Sequence, residues 1–119
     1  MAKRLAEGAV HCDEALTNVF SLLGKPWTGV IIGTLLDRPA RFAEIARAIP
    51  GITEGMLSAR LRELRDAHLV ERQVLEGPPI ASVYRLTEAG RALRPPLLSL
   101  GRWAELHMMG GRRARSRKG

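Results

Sequence analysis

The stretch from Arg41 to Ala67, RFAEIARAIPGITEGMLSARLRELRDA, constrains the fold of this chain more than any other. Phe42, Ile45, Ala46 and Ile49 recur at i, i+3, i+4 and i+7, the apolar face of a short helix. Pro50-Gly51-Ile52 stops that helix, because proline disfavours the helical region for the residue before it and glycine accepts positive φ. Thr53 can cap a second helix through its hydroxyl, and Glu54 falls in the first turn, where the dipole favours an anion. Leu57, Leu61 and Leu64 give the second helix its buried stripe. A short helix, a tight turn and a longer helix make a helix-turn-helix, whose second helix usually enters the DNA major groove.

With the leucines turned inward, Gly55, Ser58, Ala59, Arg62 and Asp66 point away from the core at 100° per residue. Small residues near the N-terminal end, Gly55, Ser58 and Ala59, let a helix approach base edges closely. Arg62 is long enough to reach a base or a phosphate. Arg60 and Arg65 flank the stripe and could reach phosphates from the sides. Arg41 and Thr53, at the starts of the two helices, complete this set of DNA-contact candidates. The plainer alternative is the solvated face of an ordinary helical hairpin.

The residues that follow favour the first reading. Leu69 to Leu75 is rich in β-formers, Glu76-Gly77-Pro78-Pro79 is a turn, and Val83-Tyr84-Arg85-Leu86 is β-rich again. Helix, turn, helix and hairpin in this order make a winged helix-turn-helix. The expected fold class is therefore mainly α with a small β-hairpin wing. The chain resembles the HxlR-type regulators, a branch of the MarR-like winged-helix proteins. The segments that carry the resemblance are Leu22-Leu23-Gly24-Lys25-Pro26-Trp27-Thr28, Arg41-Phe42-Ala43-Glu44-Ile45, Pro50-Gly51-Ile52 with Met56-Leu57-Ser58, Arg60-Leu61-Arg62-Glu63-Leu64, Leu69-Val70-Glu71-Arg72 and Tyr84-Arg85-Leu86-Thr87-Glu88-Ala89-Gly90. The resemblance covers roughly Cys12 to His107. The family's wings often carry a basic residue just before the second strand. Here Pro79-Ile80-Ala81-Ser82 stands there, with no charge, so the wing's candidate backbone contacts are Arg72 and Arg85 on the strands.

Before the helix-turn-helix, Asp13 to Leu23 is read as a helix with Leu16, Val19, Phe20 and Leu23 on one face and Gly24 just past its end. Pro26 is expected to open a second helix, since its missing N–H costs little in a first turn. Trp27, Val30, Ile31 and Leu35 form its expected stripe, and Gly29 and Gly33 would admit a close neighbour. Thr87-Glu88 begins the last helix, whose apolar face carries Leu93, Leu97, Leu100, Trp103 and Ala104. Pro95-Pro96 is expected to kink it, because the apolar period resumes beyond them. Such a face either contacts a second copy or folds back over the first helices. The family resemblance implies the former, a homodimer built by the first and last helices, with Leu16, Phe20, Leu97, Leu100, Trp103 and Ala104 at the contact.

The domain is expected to run from residue 12 to 107, with a loose arm at 1–11 and a basic, disordered tail at 108–119. At 119 residues the chain is long enough for one modest core, and with aromatics at only 4% that core must be aliphatic. Five of its cations, Arg112, Arg113, Arg115, Arg117 and Lys118, lie in the tail, and without them the formal charge falls from +7 to +2. Net charge is thus weak evidence for nucleic acid. No signal-peptide core is present, and the longest apolar run, near Val30 to Leu36, is far short of the ~18 residues that span a bilayer. A cytoplasmic protein with no membrane partner is expected.

No nucleophile elbow, phosphate-cradling loop or metalloprotease helix is present, so an enzyme is not expected. His68 occupies the helix-to-wing turn and is read as structural or solvated. His11, Cys12, Asp13 and His107 would approach one another if the end helices pack, but lone His and Cys residues are far more often nonligands, and neither a metal nor a cofactor is expected. Cys12 is the only cysteine, which excludes an intrachain disulfide. It stands just before the first helix, where the dipole favours a thiolate. The resemblance implies a sensing position for oxidants or electrophiles there, although the family often has proline next, where this chain has Asp13. The alternative is an inert cysteine packed at the dimer contact.

The expected function is sequence-specific binding of double-stranded operator DNA as a homodimeric transcription regulator, a repressor, with an oxidant or small molecule as effector. The alternatives are a nonspecific or architectural nucleic-acid-binding protein, and a protein-interaction module on the same fold.

Overall fold

The computed structural model describes residues 10–109; the arm before Val10 and the tail after Met109 lie outside the described residues. Among the described residues six helices and one hairpin follow in order: α1 (Glu14–Leu23), α2 (Thr28–Leu35), α3 (Phe42–Ala48), α4 (Glu54–Asp66), β1 (Val70–Leu75), β2 (Ala81–Leu86), α5 (Glu88–Arg91) and α6 (Arg94–His107). The core is aliphatic throughout. Ile31, Ile32 and Leu35 of α2, Ile45 of α3, Leu57, Leu61 and Leu64 of α4, Val70 and Leu86 of the hairpin, and Ile49 and Ala40 from the loops form one buried cluster.

The helix-turn-helix takes the shape its periodicity dictates. Ile45 and Ile49 are buried and Phe42 and Ala46 half-buried. Gly51 sits at φ +89°, a conformation in which a Cβ would be strained, and the Trp27 ring lies beside it. The Thr53 hydroxyl accepts the Met56 N–H at 3.0 Å and so caps α4. At the other end α4 stops in a Schellman turn: His68 donates to the Arg65 carbonyl and Leu69 to the Leu64 carbonyl, each at 3.0 Å, with His68 left-handed at φ 62°.

The wing is an antiparallel pair with Val70 opposite Leu86 and Arg72 opposite Tyr84. A third partner joins it that the hairpin pattern did not announce. Ala40, just ahead of α3, donates to the Tyr84 carbonyl at 3.0 Å and accepts the Tyr84 N–H at 2.8 Å. This single bridge fastens the entry of the helix-turn-helix to the base of the wing.

Four expectations need correcting. The second helix does not start at Pro26. Lys25, Pro26 and Trp27 form a turn, Trp27 is left-handed at φ 77°, and α2 begins at Thr28. Its buried face is Thr28, Ile31, Ile32 and Leu35, while Val30 is 54% exposed. The run is apolar on every side, so periodicity could not fix which face packs. Nothing lies close to Gly29 or Gly33. Gly24 does end α1, at φ −78° rather than in the left-handed region. The last helix is not one kinked rod but two: α5 stops at Arg91, and Pro95 and Pro96 stand in the first turn of α6, where no amide hydrogen is needed.

Candidate nucleic-acid interface

The solvent face of α4 is made by residues the leucine stripe leaves outside. Gly55, Ser58 and Arg62 are exposed and Ala59 is half-buried. Nothing within 4 Å would meet a Cβ at Gly55. This end of the helix is open to a close approach. Arg62 and Arg65 then extend along α4 toward the wing, where they meet Arg72 of β1. The three arginines border an open groove of about 460 Å³, which Asp66, His68 and Glu71 also line; the Glu71 carboxylate is turned to Arg85 Nε, 3.9 Å away on the other face of the hairpin. Arg72 is oriented by Ser82, whose hydroxyl accepts from Nη2 at 3.1 Å. Three cations against the Asp66 carboxylate leave a groove that favours an anion.

A second open groove, about 520 Å³, lies on the other side of the wing base, bordered by Arg38, Arg41, Arg47 and Glu44. Glu44 accepts the Arg41 backbone N–H at 2.8 Å and the Arg38 guanidinium at 3.1 Å. The Arg41 amide, then Arg38, hold its carboxyl below the ordinary carboxylate value of 4.5. Arg47 and Arg41 stay exposed. Arg38, Arg47 and His68 were not among the candidate contacts. Arg47 was detectable, since it falls outside the apolar stripe of α3. Arg38 lies in a proline-closed segment with no period to read.

Two candidate arginines are not in either position. Arg60 is turned inward, its side chain only 15% exposed. Its Nε donates to the Pro26 carbonyl at 2.9 Å and its Nη1 to both Glu63 carboxylate oxygens at 3.2 Å. Lys25 reaches the same carboxylate at 3.5 Å. Arg60 thus ties α4 to the turn before α2 and is not a free phosphate donor. Arg85 pairs opposite Glu71 and so projects from the other face of the hairpin than Arg72. It donates to Gln73 Oε1 at 2.9 Å.

The wing tip is exposed from Glu71 to Ile80, and no cation occurs between Gln73 and Tyr84. Ile80 there is 79% exposed.

At the far end of the molecule, Cys12 is exposed with its Sγ 3.0 Å from Thr17 Oγ1. Asp13, not Cys12, caps α1 and accepts the Leu16 N–H at 3.1 Å. The Thr17 hydroxyl donates to the Asp13 carbonyl at 2.9 Å. No residue of α1 or α6 is buried. Leu16, Phe20, Leu100 and Trp103 are each about half exposed, and Ala104 is half-buried. Leu97 instead packs on the core of its own chain. The Trp103 and His107 rings lie 5.3 Å apart. Among the described residues no three His, Cys, Asp or Glu are grouped to hold a metal, and no helix is long and apolar enough to cross a membrane.

A capped recognition helix with small outward residues, an arginine-lined groove beside it and a hairpin after it define a winged helix-turn-helix DNA-binding protein. The model of the HxlR-like helix-turn-helix family matches residues 22–111. The chain belongs to that family and is a helix-turn-helix transcriptional regulator. Over 98 residues it is 47% identical to the HTH-type transcriptional regulator YodB of Bacillus subtilis (strain 168), covering 82% of this chain and 87% of the relative. The crystal structure of quinone-bound YodB superposes with a TM-score of 0.69 at 43% identity, over 80% of this chain and 99% of that one. The redox regulator HypR in its oxidised form superposes with a TM-score of 0.72 at 34% identity, over 78% and 96%.

Proposed function

We propose that this chain is a cytoplasmic, homodimeric operator-binding repressor whose DNA affinity falls when oxidants or electrophiles modify Cys12. The observation that carries the DNA part is the groove in which Arg62 and Arg65 of the recognition helix converge with Arg72 of the wing. Phosphates on either side of a major groove require cations at the helix flank and at the wing base. The homodimer is supported by the apolar faces of α1 and α6, which the described residues leave uncovered. Two recognition helices related by a two-fold axis would enter successive major grooves roughly 34–36 Å apart.

The effector reading rests on an exposed thiol at the start of a dimerising helix, and on the quinone and oxidation states in which two relatives were solved. A thiolate at Cys12 adds to a ring carbon of a quinone, and the ring takes up a proton to become the thioether-substituted hydroquinone. Diamide instead takes two electrons and two protons from a pair of thiols and leaves a disulfide. With one cysteine per chain that bond joins two protomers or one protomer and a small thiol.

The test begins with selection of bound fragments from genomic DNA to obtain the operator. Operator affinity is then measured for wild type and Cys12→Ser, before and after diamide or a quinone. Loss of affinity in wild type alone supports the reading. A wild type that binds operator and ignores both reagents leaves Cys12 as packing; one that selects no sequence removes the operator function.

A further inference from the structure

We propose that His68 is a DNA-backbone contact that makes operator binding depend on pH. The inference rests on the operator reading above and adds to it one residue and one controlling variable.

Two separate observations lead to this histidine. The first is its backbone. At φ 62° it holds a side chain in the left-handed region, where glycine is free of the steric penalty. The turn itself makes no use of the imidazole. Main-chain bonds from His68 to Arg65 and from Leu69 to Leu64 complete it, and the Thr87 hydroxyl donates to the His68 carbonyl at 2.7 Å. A non-glycine residue kept in a strained conformation that glycine would satisfy points to a use for the side chain.

The second observation is where that side chain lies. His68 is exposed and lines the groove between α4 and the wing. The charged groups that face the same groove are Arg62, Arg65 and Asp66 from α4 and Arg72 from β1; Glu71 lines its edge with its carboxylate turned to Arg85, and Thr87 completes the polar wall. A phosphate drawn in by the three arginines brings a negative charge within reach of the imidazole. An adjacent anion favours the charged form of a histidine, and histidine is the side chain that changes charge between about pH 5 and 8. DNA binding then takes up a proton at each protomer's groove. By linkage, lowering the pH raises the affinity for DNA. Arginine does not titrate in this range, and the ordinary range of Asp and Glu lies below it.

The experiment measures operator affinity and its salt dependence at about pH 8 and about pH 6 for wild type, His68→Gln and His68→Gly. Wild type should bind roughly tenfold tighter at the lower pH, and its log–log salt slope should steepen there by about 0.9 per protomer. Both variants should lose the pH effect. His68→Gly should also melt at a higher temperature than wild type, which shows that its loss is not a folding defect. A wild-type affinity indifferent to pH, or a pH effect that survives in both variants, overturns the inference and leaves the operator reading standing. A wild type that binds no operator at either pH overturns both.

Discussion

Arg60 Nε lies 2.9 Å from the carbonyl oxygen of Pro26, thirty-four residues earlier in the chain. The bond joins the recognition helix to the turn that ends α1, and Glu63 and Lys25 reinforce it with ion pairs on the same spot. Arg60→Ala should therefore act on the fold. A charge-assisted bond and the packed arginine stem are lost together, and unfolding free energy should drop by about 1–2 kcal/mol. Urea titration of the two proteins measures it. Equal stability with reduced DNA affinity would return Arg60 to the interface.

Arg62 should behave in the opposite way. It is exposed, lies on the outward face of α4 and borders the groove. Arg62→Ala should leave the urea midpoint unchanged and weaken operator binding by about 1–3 kcal/mol if the side chain reads a base edge. A smaller loss, equal on operator and unrelated DNA, would mark a phosphate contact instead. No loss on either would take Arg62 out of the interface.

The two leucines on α6 separate folding from assembly. Leu100 is about half exposed, whereas Leu97 packs on the core. Leu100→Glu should place an unpaired carboxylate at the proposed protomer contact and shift sedimentation toward monomer, with operator affinity falling alongside. Leu97→Glu should lower thermal stability as well. Wild type sedimenting as a monomer at micromolar concentration would sink the dimer.

Glu44 makes stability depend on acid. Its folded carboxyl is held below the ordinary value by the Arg41 amide and by Arg38. A depressed carboxylate stabilises the fold above its unfolded value, and that contribution disappears as pH falls through the folded one. Glu44→Gln should thus melt below wild type at neutral pH, with the gap closing as pH drops under 4.5. A gap of constant size across that range would mean that shape, not charge, is what Glu44 provides.

The helix-turn-helix was readable in the sequence because its stripes are unambiguous. Leu57, Leu61 and Leu64 each have polar neighbours, so only one face of α4 can be buried. The hairpin was readable for a similar reason, with β-formers on either side of a Gly-Pro turn. Around Val30 the same logic failed, because α2 is apolar all round and the choice of face belongs to its neighbours. Arg60 looked like Arg62 and Arg65 in the sequence. Only the Pro26 carbonyl, far away in the chain, distinguishes it. The Ala40 bridge left no trace either, since one residue has no period. At Pro95-Pro96 two rules competed, kinking a helix and starting one, and the break at Ala92 and Leu93 decided for the start.

The Ala40–Tyr84 bridge ties the strand that carries the wing to the residue that launches α3. Arg60 ties α4 to the segment leaving α1. Stitched on both flanks, each DNA-reading head should travel as a rigid block. In the proposed dimer such blocks would answer a signal by changing their separation rather than their shape. The proposed signal at Cys12 would then act as calipers do, since a few ångströms of spread or closure would lose register with a helical repeat.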